Sequence, residues 1–381
     1  MSPDVVVVGL GVMGTAAAMT LARRGQRVVG IEQFSIGHDH GSSHGDTRII
    51  RLGYFEHPSY VPLLRSAYRL WRQLERETGQ ELLHVTGIAE IGPPESEIVR
   101  GTLRASEEHD LPHTVLDARQ AMQQFPAFRL PPDYIAVVQP DGGYLFAERA
   151  THAFAKLAES SGAVLRTGET VIDIAPRSDG VTIKTDKGSI DAGAVVITPG
   201  AWFNSLLGRL LPRLRQPLKV MRQVLAWFEP IDPSLFAPAK FPVFILASEY
   251  GNHYGIPPHG MAPCKGLLKI AKHDFEKPDI APEGYDRTIT AADEETIRVA
   301  LRKYLPAANG RLVAAKTWLY TVTDDKDFLI DRVPGWPQIV FASPCSGHGF
   351  KFAPVIGEML ADLVMTKKRI SQFSLDRLLA D

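Results

Sequence analysis

Cysteine is nearly absent from the chain. The two that occur among 381 residues, Cys264 and Cys345, sit in polar loop contexts and match no metal-ligand spacing. A disulfide framework and a zinc site are therefore both disfavoured, and a reducing compartment is expected. Charge bias is missing too: 42 Lys and Arg against 43 Asp and Glu leave a formal net charge of −1, which provides no electrostatic footprint for nucleic acid or an anionic membrane. Any anion must then be gripped locally. No stretch approaches the ~18 uninterrupted apolar residues of a membrane span, and no internal repeat or low-complexity segment is evident. The opening run VVVVGL has no preceding basic region and meets glycine at once, so it reads as a buried strand rather than a signal peptide. A cytoplasmic location is expected.

Core-forming residues are abundant. At 45% hydrophobic and 22% charged residues the composition is that of a soluble globular protein, and the length suggests two domains, since single cores stop growing beyond roughly 250–300 residues. Residues 4–32 give a β-branched strand, a glycine turn, a helix and a second strand ending at Glu32, the opening of a βαβ unit. The turn GLGVMG (9–14) lies directly between strand and helix. There glycine supplies the tight turn, close approach to a pyrophosphate and close helix packing, while the helix start faces the phosphates. Glu32, eighteen residues after Gly14, can accept hydrogen bonds from ribose hydroxyls and disfavours a 2′-phosphate. Those features predict a dinucleotide site without separating NAD from FAD.

Further along, a helix is predicted from about Pro58, with Val61, Leu64, Tyr68, Trp71 and Leu74 on one face and Gly79 ending it. A polar helix is predicted near 96–108, a turn at 140–143, and a helix at 148–161. Closely spaced strands near 164, 171 and 181 read as a small antiparallel meander returning to a buried strand at 194–198. The proline-rich EPIDPSLFAPAKFP marks a loop within a strand-rich region from about 216 to 320. FLID and IVFAS read as strands, and 349–366 as a helix carrying Ile356, Met359, Leu360 and Leu363.

Three further segments, GSSHGDTRIIR (41–51), ITPGAW (197–202) and SGHGFKF (346–352), occur in this order behind GLGVMG. Together they resemble the monomeric sarcosine oxidase and N-methyltryptophan oxidase family of FAD-dependent amine oxidases over nearly the whole chain. The resemblance implies an α/β (α+β) fold: a glutathione-reductase-type, Rossmann-like FAD-binding domain with an interleaved catalytic domain on a large mixed β-sheet. We expect the FAD-binding domain to comprise 1–85, 145–215 and 322–381, and the catalytic domain 86–144 and 216–321. It further implies oxidation of a secondary, N-methyl or cyclic amino acid to an imine, with O2 reduced to H2O2, by a monomeric enzyme with no nucleic-acid or membrane partner. The competing readings are an FAD-dependent amine dehydrogenase with another acceptor, an NAD-dependent oxidoreductase, and a noncatalytic nucleotide-binding regulator.

Carried over from the family, the carboxylate clamp falls on Arg51 and Lys351, and the pocket wall on Ile245, Tyr254 and Tyr320. A histidine near the reacting amine falls on His273, and the lysine associated with oxygen on Lys269. FAD contacts are expected at Gly9, Gly11, Val12, Met13, Gly14, Glu32, Gln33, Ser43, His44, Thr47, Arg48, Val171, Gly200, Trp202, Gly347, Gly349, Phe350 and Lys351. The family's cysteine tether is replaced by Trp318, so the flavin is expected to be held noncovalently.

The residue chemistry runs beside that resemblance. Arg48 and Arg51 would share a face on a helical turn, or serve two different anions in an irregular loop. Lys351 stands at a helix start, where the dipole opposes a cation unless an anion lies nearby. Gly347 and Gly349 allow close backbone approach, and Pro354 suits a first helical turn. His38, His40 and His44 raise a metal hypothesis, but His44 falls in the flavin-loop motif, the other two read as solvated loop residues, and no metal is expected. Because the amine must lose its proton before oxidation, activity is expected to rise with pH.

Overall fold

The structure is a computed structural model that describes residues 2–212, 214, 218–237, 240–261, 263–366 and 370–379. The first strand, β1 (Val5–Val8), shows why four valines open the chain. Alternate side chains of a strand point to opposite faces, and Val5 and Val7 enter one core while Val6 and Val8 enter another. Both faces are covered, which is the condition for a parallel sheet. Helix α1 (Val12–Arg23) and strand β2 (Val28–Glu32) complete the predicted βαβ unit.

The six-stranded sheet is ordered Leu329–Val333, Trp336–Ser343, Ala194–Ile197, β1, β2, Val164–Thr167. Its pairings are parallel except for the antiparallel edge hairpin 329–343. Helix α1 packs against Ala147–Ser160 and Ala353–Thr366 on one face. The other face is covered by the meander, whose strands are Val171–Arg177, Gly180–Thr185 and Gly188–Ala192. The strand at 164 is not part of that meander, as the sequence spacing suggested. It pairs in parallel with β2, because a crossover through the helix 147–160 returns it to the large sheet.

Strand β3 (Thr47–Ile50) pairs with Gly143–Phe146, which also holds Leu83–Val85. Arg48 therefore sits on a strand and Arg51 just past its end, neither on a helical turn nor in an irregular loop. Helix α2 (Val61–Thr78) ends at Gly79, whose φ of 66° is the left-handed C-cap. Val61, Leu64, Trp71 and Leu74 are buried as predicted, but Ala67 shares that stripe and Tyr68 lies at its edge, half-buried, with its phenol donating to the Asp141 carbonyl. Helix α3 (Glu97–Glu108) is capped by Ser96.

An eight-stranded sheet follows the order Leu312–Val322, Lys219–Phe228, Leu268–His273, Gly251–Ile256, Val243–Ser248, Ile88–Gly92, Ile135–Gln139, Thr114–Asp117. Only its Val243–Ser248/Ile88–Gly92 pairing is parallel among the described residues, so the sheet is mixed. One face buries Phe228, Phe244, Leu246 and Ile270 with the helix Ala291–Tyr304. The other presents Ile245, Tyr254, Trp318 and Tyr320 toward the six-stranded half. Cys264 is buried beside Met221, Trp227 and Trp318 rather than in a polar loop, and both cysteines are free. The C-terminal helix begins at Ala353, after a 3-10 turn at Phe350–Phe352, slightly later than predicted. The expected domain boundary at 215/216, and residues 238–239 of the proline-rich stretch, lie outside the described residues.

The tightest contact of the first turn is between its own glycines: a Cβ on Gly14 would stand 1.8 Å from the Gly9 carbonyl oxygen. We expect Gly14→Ala to destabilise the fold by about 1–3 kcal/mol, the usual range for overpacking, read as a lowered urea midpoint of the flavin-free protein.

Candidate functional site

The two sheets enclose a cavity of about 440 Å³, within the range of small-molecule and cofactor sites. At one end it is lined by Glu32 and Gln33; it passes Gly9, Gly11, Val12, Met13 and Ser43, with Val171, Gly200 and Trp202 along its side. At the other end stand Arg48, Arg51, Ile245, Tyr254, His273, Tyr320, Gly347, Gly349, Phe350 and Lys351. Four predicted residues do not line it. Gly14 packs beneath Gly9. His44 is buried with neither ring nitrogen partnered, and Thr47 and Lys269 lie behind the wall, the Lys269 Nζ donating to the Gly45 and Thr47 carbonyls at 2.7 and 2.5 Å.

The glycine turn is held by side chains as well as by its own geometry. Gly9 has φ +83°, the region glycine tolerates at no steric cost. Ser43 Oγ accepts the Val12 amide at 3.1 Å. Glu32, 4% exposed, accepts the Leu10 amide on Oε2 at 2.8 Å and the Phe34 amide on Oε1 at 3.0 Å. His38 Nε2 lies 3.5 Å from the same Oε1, and a carboxylate's acceptor positions, about four, still leave room for a ribose hydroxyl.

The middle of the cavity is edged with polar atoms that have no partner among the described residues. Trp318 Nε1, Tyr254 Oη and Thr321 Oγ1 are buried and unbonded, and all three residues line the cavity. Buried polar groups are normally satisfied, so these fit a bound polar group, and together with the glycine turn and Glu32 they fit a dinucleotide. Arg48 lies over the Trp318 ring with 4.0 Å to its centroid and donates to the Thr47, Ser42 and His44 carbonyls.

At the far end, buried cations and acids are packed together. Arg51 is 2% exposed and its guanidinium meets Glu56 at 2.6 Å, the Gly53 carbonyl at 2.8 Å and Glu90 at 3.5 Å. The Tyr54 and Phe55 rings lie against it, each centroid 4.4 Å away. Lys351 is 6% exposed and donates to the His348 carbonyl at 2.7 Å. Its own carbonyl accepts from Trp71 Nε1 at 2.8 Å, which ties the turn to α2. Burial first, and then the Arg51 charge, bring the Lys351 ammonium down to about 7 against the pull of Glu56 and Glu90. Burial alone would raise Glu56, but Arg51, His348 and Lys351 outweigh it and hold the carboxyl at about 2.

His273 Nδ1 and Tyr320 Oη are 2.8 Å apart, and burial lowers the imidazole to about 4, which leaves it neutral at pH 7. Gly347, at φ +77°, presses against both, since a Cβ there would come within 2.7 Å of His273 and 2.8 Å of Tyr320. At Gly349 a Cβ would strike the Pro344 carbonyl at 1.5 Å. These two glycines let the loop pass between the sheets. Burial, with Arg48 next, lowers the Lys269 ammonium well below its ordinary value.

A family model described as FAD dependent oxidoreductase matches residues 4–363. The chain belongs to that family. A monomeric sarcosine oxidase of Bacillus sp. (strain NS-129) is 39% identical over 380 residues, covering 98% of this chain and 96% of that protein. An N-methyl-L-tryptophan oxidase of Salmonella agona (strain SL483) is 33% identical, covering 98% of this chain and 100% of that one. Among solved structures, the open form of NikD, an unusual amino acid oxidase essential for nikkomycin biosynthesis, superimposes with a TM-score of 0.87 at 28% identity, covering 98% and 97% of the two chains. This FAD-dependent oxidoreductase therefore has the fold that the four motifs implied.

Sequence reasoning missed Glu56, Glu90 and His348. Glu56 carries a weak signal as an acid five residues after Arg51, and Glu90 a better one, a lone acid in the apolar strand IAEIG, all of whose residues are buried. His348 lay inside a recognised motif, where only its neighbours were assigned roles; its ring bonds the Tyr54 hydroxyl and, at 3.0 Å, the Lys326 carbonyl.

Because Glu32 serves two backbone amides before any ligand arrives, Glu32→Gln would turn one acceptor into a donor facing an N–H. We expect a loss of about 1–3 kcal/mol in the flavin-free protein, visible as a lowered melting temperature, together with poorer retention of FAD through gel filtration.

Proposed function

We propose that this protein oxidises a secondary amino acid, N-methylated or cyclic, to the imine, using noncovalently held FAD and passing the electrons to O2 to give hydrogen peroxide. The observation that carries this reading is the convergence of Arg51 and Lys351, from opposite ends of the chain, on one buried cavity that also contains the glycine turn. Two buried cations at one end of the cavity suit a carboxylate, and low local dielectric strengthens that attraction.

The residues divide the work. Glu32, the glycine turn with Ser43, and the start of α1 would hold the adenosine and pyrophosphate of FAD; the Gly347–Lys351 loop, Arg48 and Trp318 would hold its ring. FAD, when bound, supplies the two-electron acceptor for the amine oxidation and returns the electrons to oxygen. Arg51 and Lys351 fix the substrate carboxylate, converting ionic binding into orientation of the reacting C–H bond. The Tyr254 hydroxyl, unpartnered among the described residues, and the neutral His273 imidazole, steadied by Tyr320, offer hydrogen bonds to the amine. Arg48 lines the cavity with no acid paired to it among the described residues and disfavours an ammonium substrate, so the amine gives its proton to solvent on approach. Arg48, which lines the cavity, favours negative charge building on oxygen, and Lys269 acts from behind it by holding the Gly45 and Thr47 carbonyls. The imine then leaves for hydrolysis; an N-methyl substrate would yield the amino acid and formaldehyde.

Two outcomes test this. Acid denaturation and centrifugation should leave the yellow colour in the supernatant, since Trp318 stands where a thiol tether is expected; colour in the pellet refutes noncovalent binding. In anaerobic titrations that follow flavin bleaching by sarcosine and L-pipecolate, Lys351→Met and Arg51→Ala should each weaken substrate affinity about 10- to 100-fold, the scale of a charge-assisted hydrogen bond. Unchanged affinity in both variants rules out the clamp.

A further inference from the structure

Glu90 is a buried acid with no use in the scheme above. It lies mid-strand in Ile88–Gly92, where Ala89 and Ile91 enter the core beneath the sheet. Alternation sends Glu90 to the other face, the side of the cavity, in register with the cavity residue Ile245. It is 0% exposed, its Oε1 is 3.5 Å from Arg51 Nε, and neither carboxyl oxygen has a hydrogen-bond partner among the described residues. The Thr102 hydroxyl of α3 lies beside it, close enough to favour the anion but outside hydrogen-bonding geometry. The charged groups facing it are Arg51, Glu56 and Lys351; the strands on either side place Val137 and Ile245 at its register.

At this end of the cavity the charges balance before any substrate arrives. Arg51 and Lys351 face Glu56 and Glu90, so a carboxylate guest set between the two cations would place a further buried negative charge beside Glu90, a costly state. One acid must then be protonated. Glu56 holds Arg51 through a 2.6 Å ion pair, whereas Glu90 is engaged by no hydrogen bond. Resting on the carboxylate-clamp reading, we propose that Glu90 is a positioning residue that takes a proton from solvent when a carboxylate enters between Arg51 and Lys351, coupling ligand binding to proton uptake.

The titration positions agree. Burial pushes Glu90 up to about 7, opposed chiefly by Arg51, and Lys351 is brought down to about 7. An anionic guest favours the protonated form of both, so affinity is fullest below about pH 6 and is lost as pH rises through 7.

Methoxyacetate is the probe, because it carries a carboxylate and no titrating amine. Its binding would be followed by flavin absorbance, and by calorimetry in buffers of different ionisation enthalpy. Wild-type affinity should fall between about pH 6 and 9, with net proton uptake at pH 7. Glu90→Gln should match wild type near pH 6, bind about tenfold tighter near pH 9, one pKa unit being tenfold, and take up about half a proton less at pH 7. Glu90→Leu, which removes the acid without leaving an amide to satisfy, should show the same flattened profile if Glu90→Gln does not fold. Profiles parallel to wild type in a folded variant, with Arg51→Ala and Lys351→Met still weakening the probe, overturn the role of Glu90 and leave the clamp standing. Absence of saturable binding, or binding indifferent to Arg51→Ala and Lys351→Met, overturns the clamp and this inference with it.

Discussion

The site depends on keeping a guanidinium charged out of water. Arg51 is almost wholly enclosed, and a buried ion costs several kcal/mol unless it is paired and bonded. Glu56 supplies the pair, the Gly53 carbonyl a second acceptor, and the Tyr54 and Phe55 ring faces the remaining surroundings. That arrangement fixes more than one side chain. Tyr54 is itself bonded to His348, whose carbonyl accepts Lys351. Strand β3 near the start of the chain and the loop before the last helix are thereby joined through one charge network.

Two kinds of architecture meet at this network, and each supplies what the other lacks. A parallel sheet with helices presents helix starts and tight turns, which suit phosphate, but few side chains above its strand ends. A mixed sheet presents a broad wall with a side chain at every second residue, which suits an organic substrate. The loop 344–350 passes between them, and its path requires the missing Cβ atoms of Gly347 and Gly349. Ser346 carries φ 44° in the same turn, a position most residues avoid. Its amide donates to the Thr321 carbonyl at 2.7 Å, so pairing with the long strand 312–322 holds the strained residue in place.

Local order explains which parts of this were legible in the sequence. The βαβ opening could be read because its signals, four valines, spaced glycines and a strand-ending acid, lie within thirty residues and have one physical solution. The amphipathic stripe of α2 and its glycine stop were equally local. The strand at 164 was misplaced because adjacency in sequence suggests a hairpin, while the helix before it makes a parallel crossover possible. Neither the convergence of Arg51 with Lys351 nor the register of Glu90 with Ile245 leaves a local trace. The first required a family resemblance, and the second required the sheet itself. Glu56 and Glu90 also stayed hidden because the clamp was conceived as two cations awaiting an anion, whereas a folded chain must neutralise buried cations before any ligand arrives.

Arg48 makes the contrasting case. It too is buried, but its acceptors are three backbone carbonyls and its flat face lies on Trp318. Carbonyl dipoles and an indole face solvate a cation without cancelling its charge, so this arginine keeps its full field toward the cavity. Arg51, three residues later and just past the strand's end, is paired with acids. Strand β3 and the residue just past it thus deliver two arginines to one cavity in different electrostatic states, the first solvated by carbonyls and an indole face and the second paired with acids whose own protonation can change. The large side chain at 318 is what permits the first state: with a small residue there, the guanidinium would lose its ring platform and the cavity wall would open beside it.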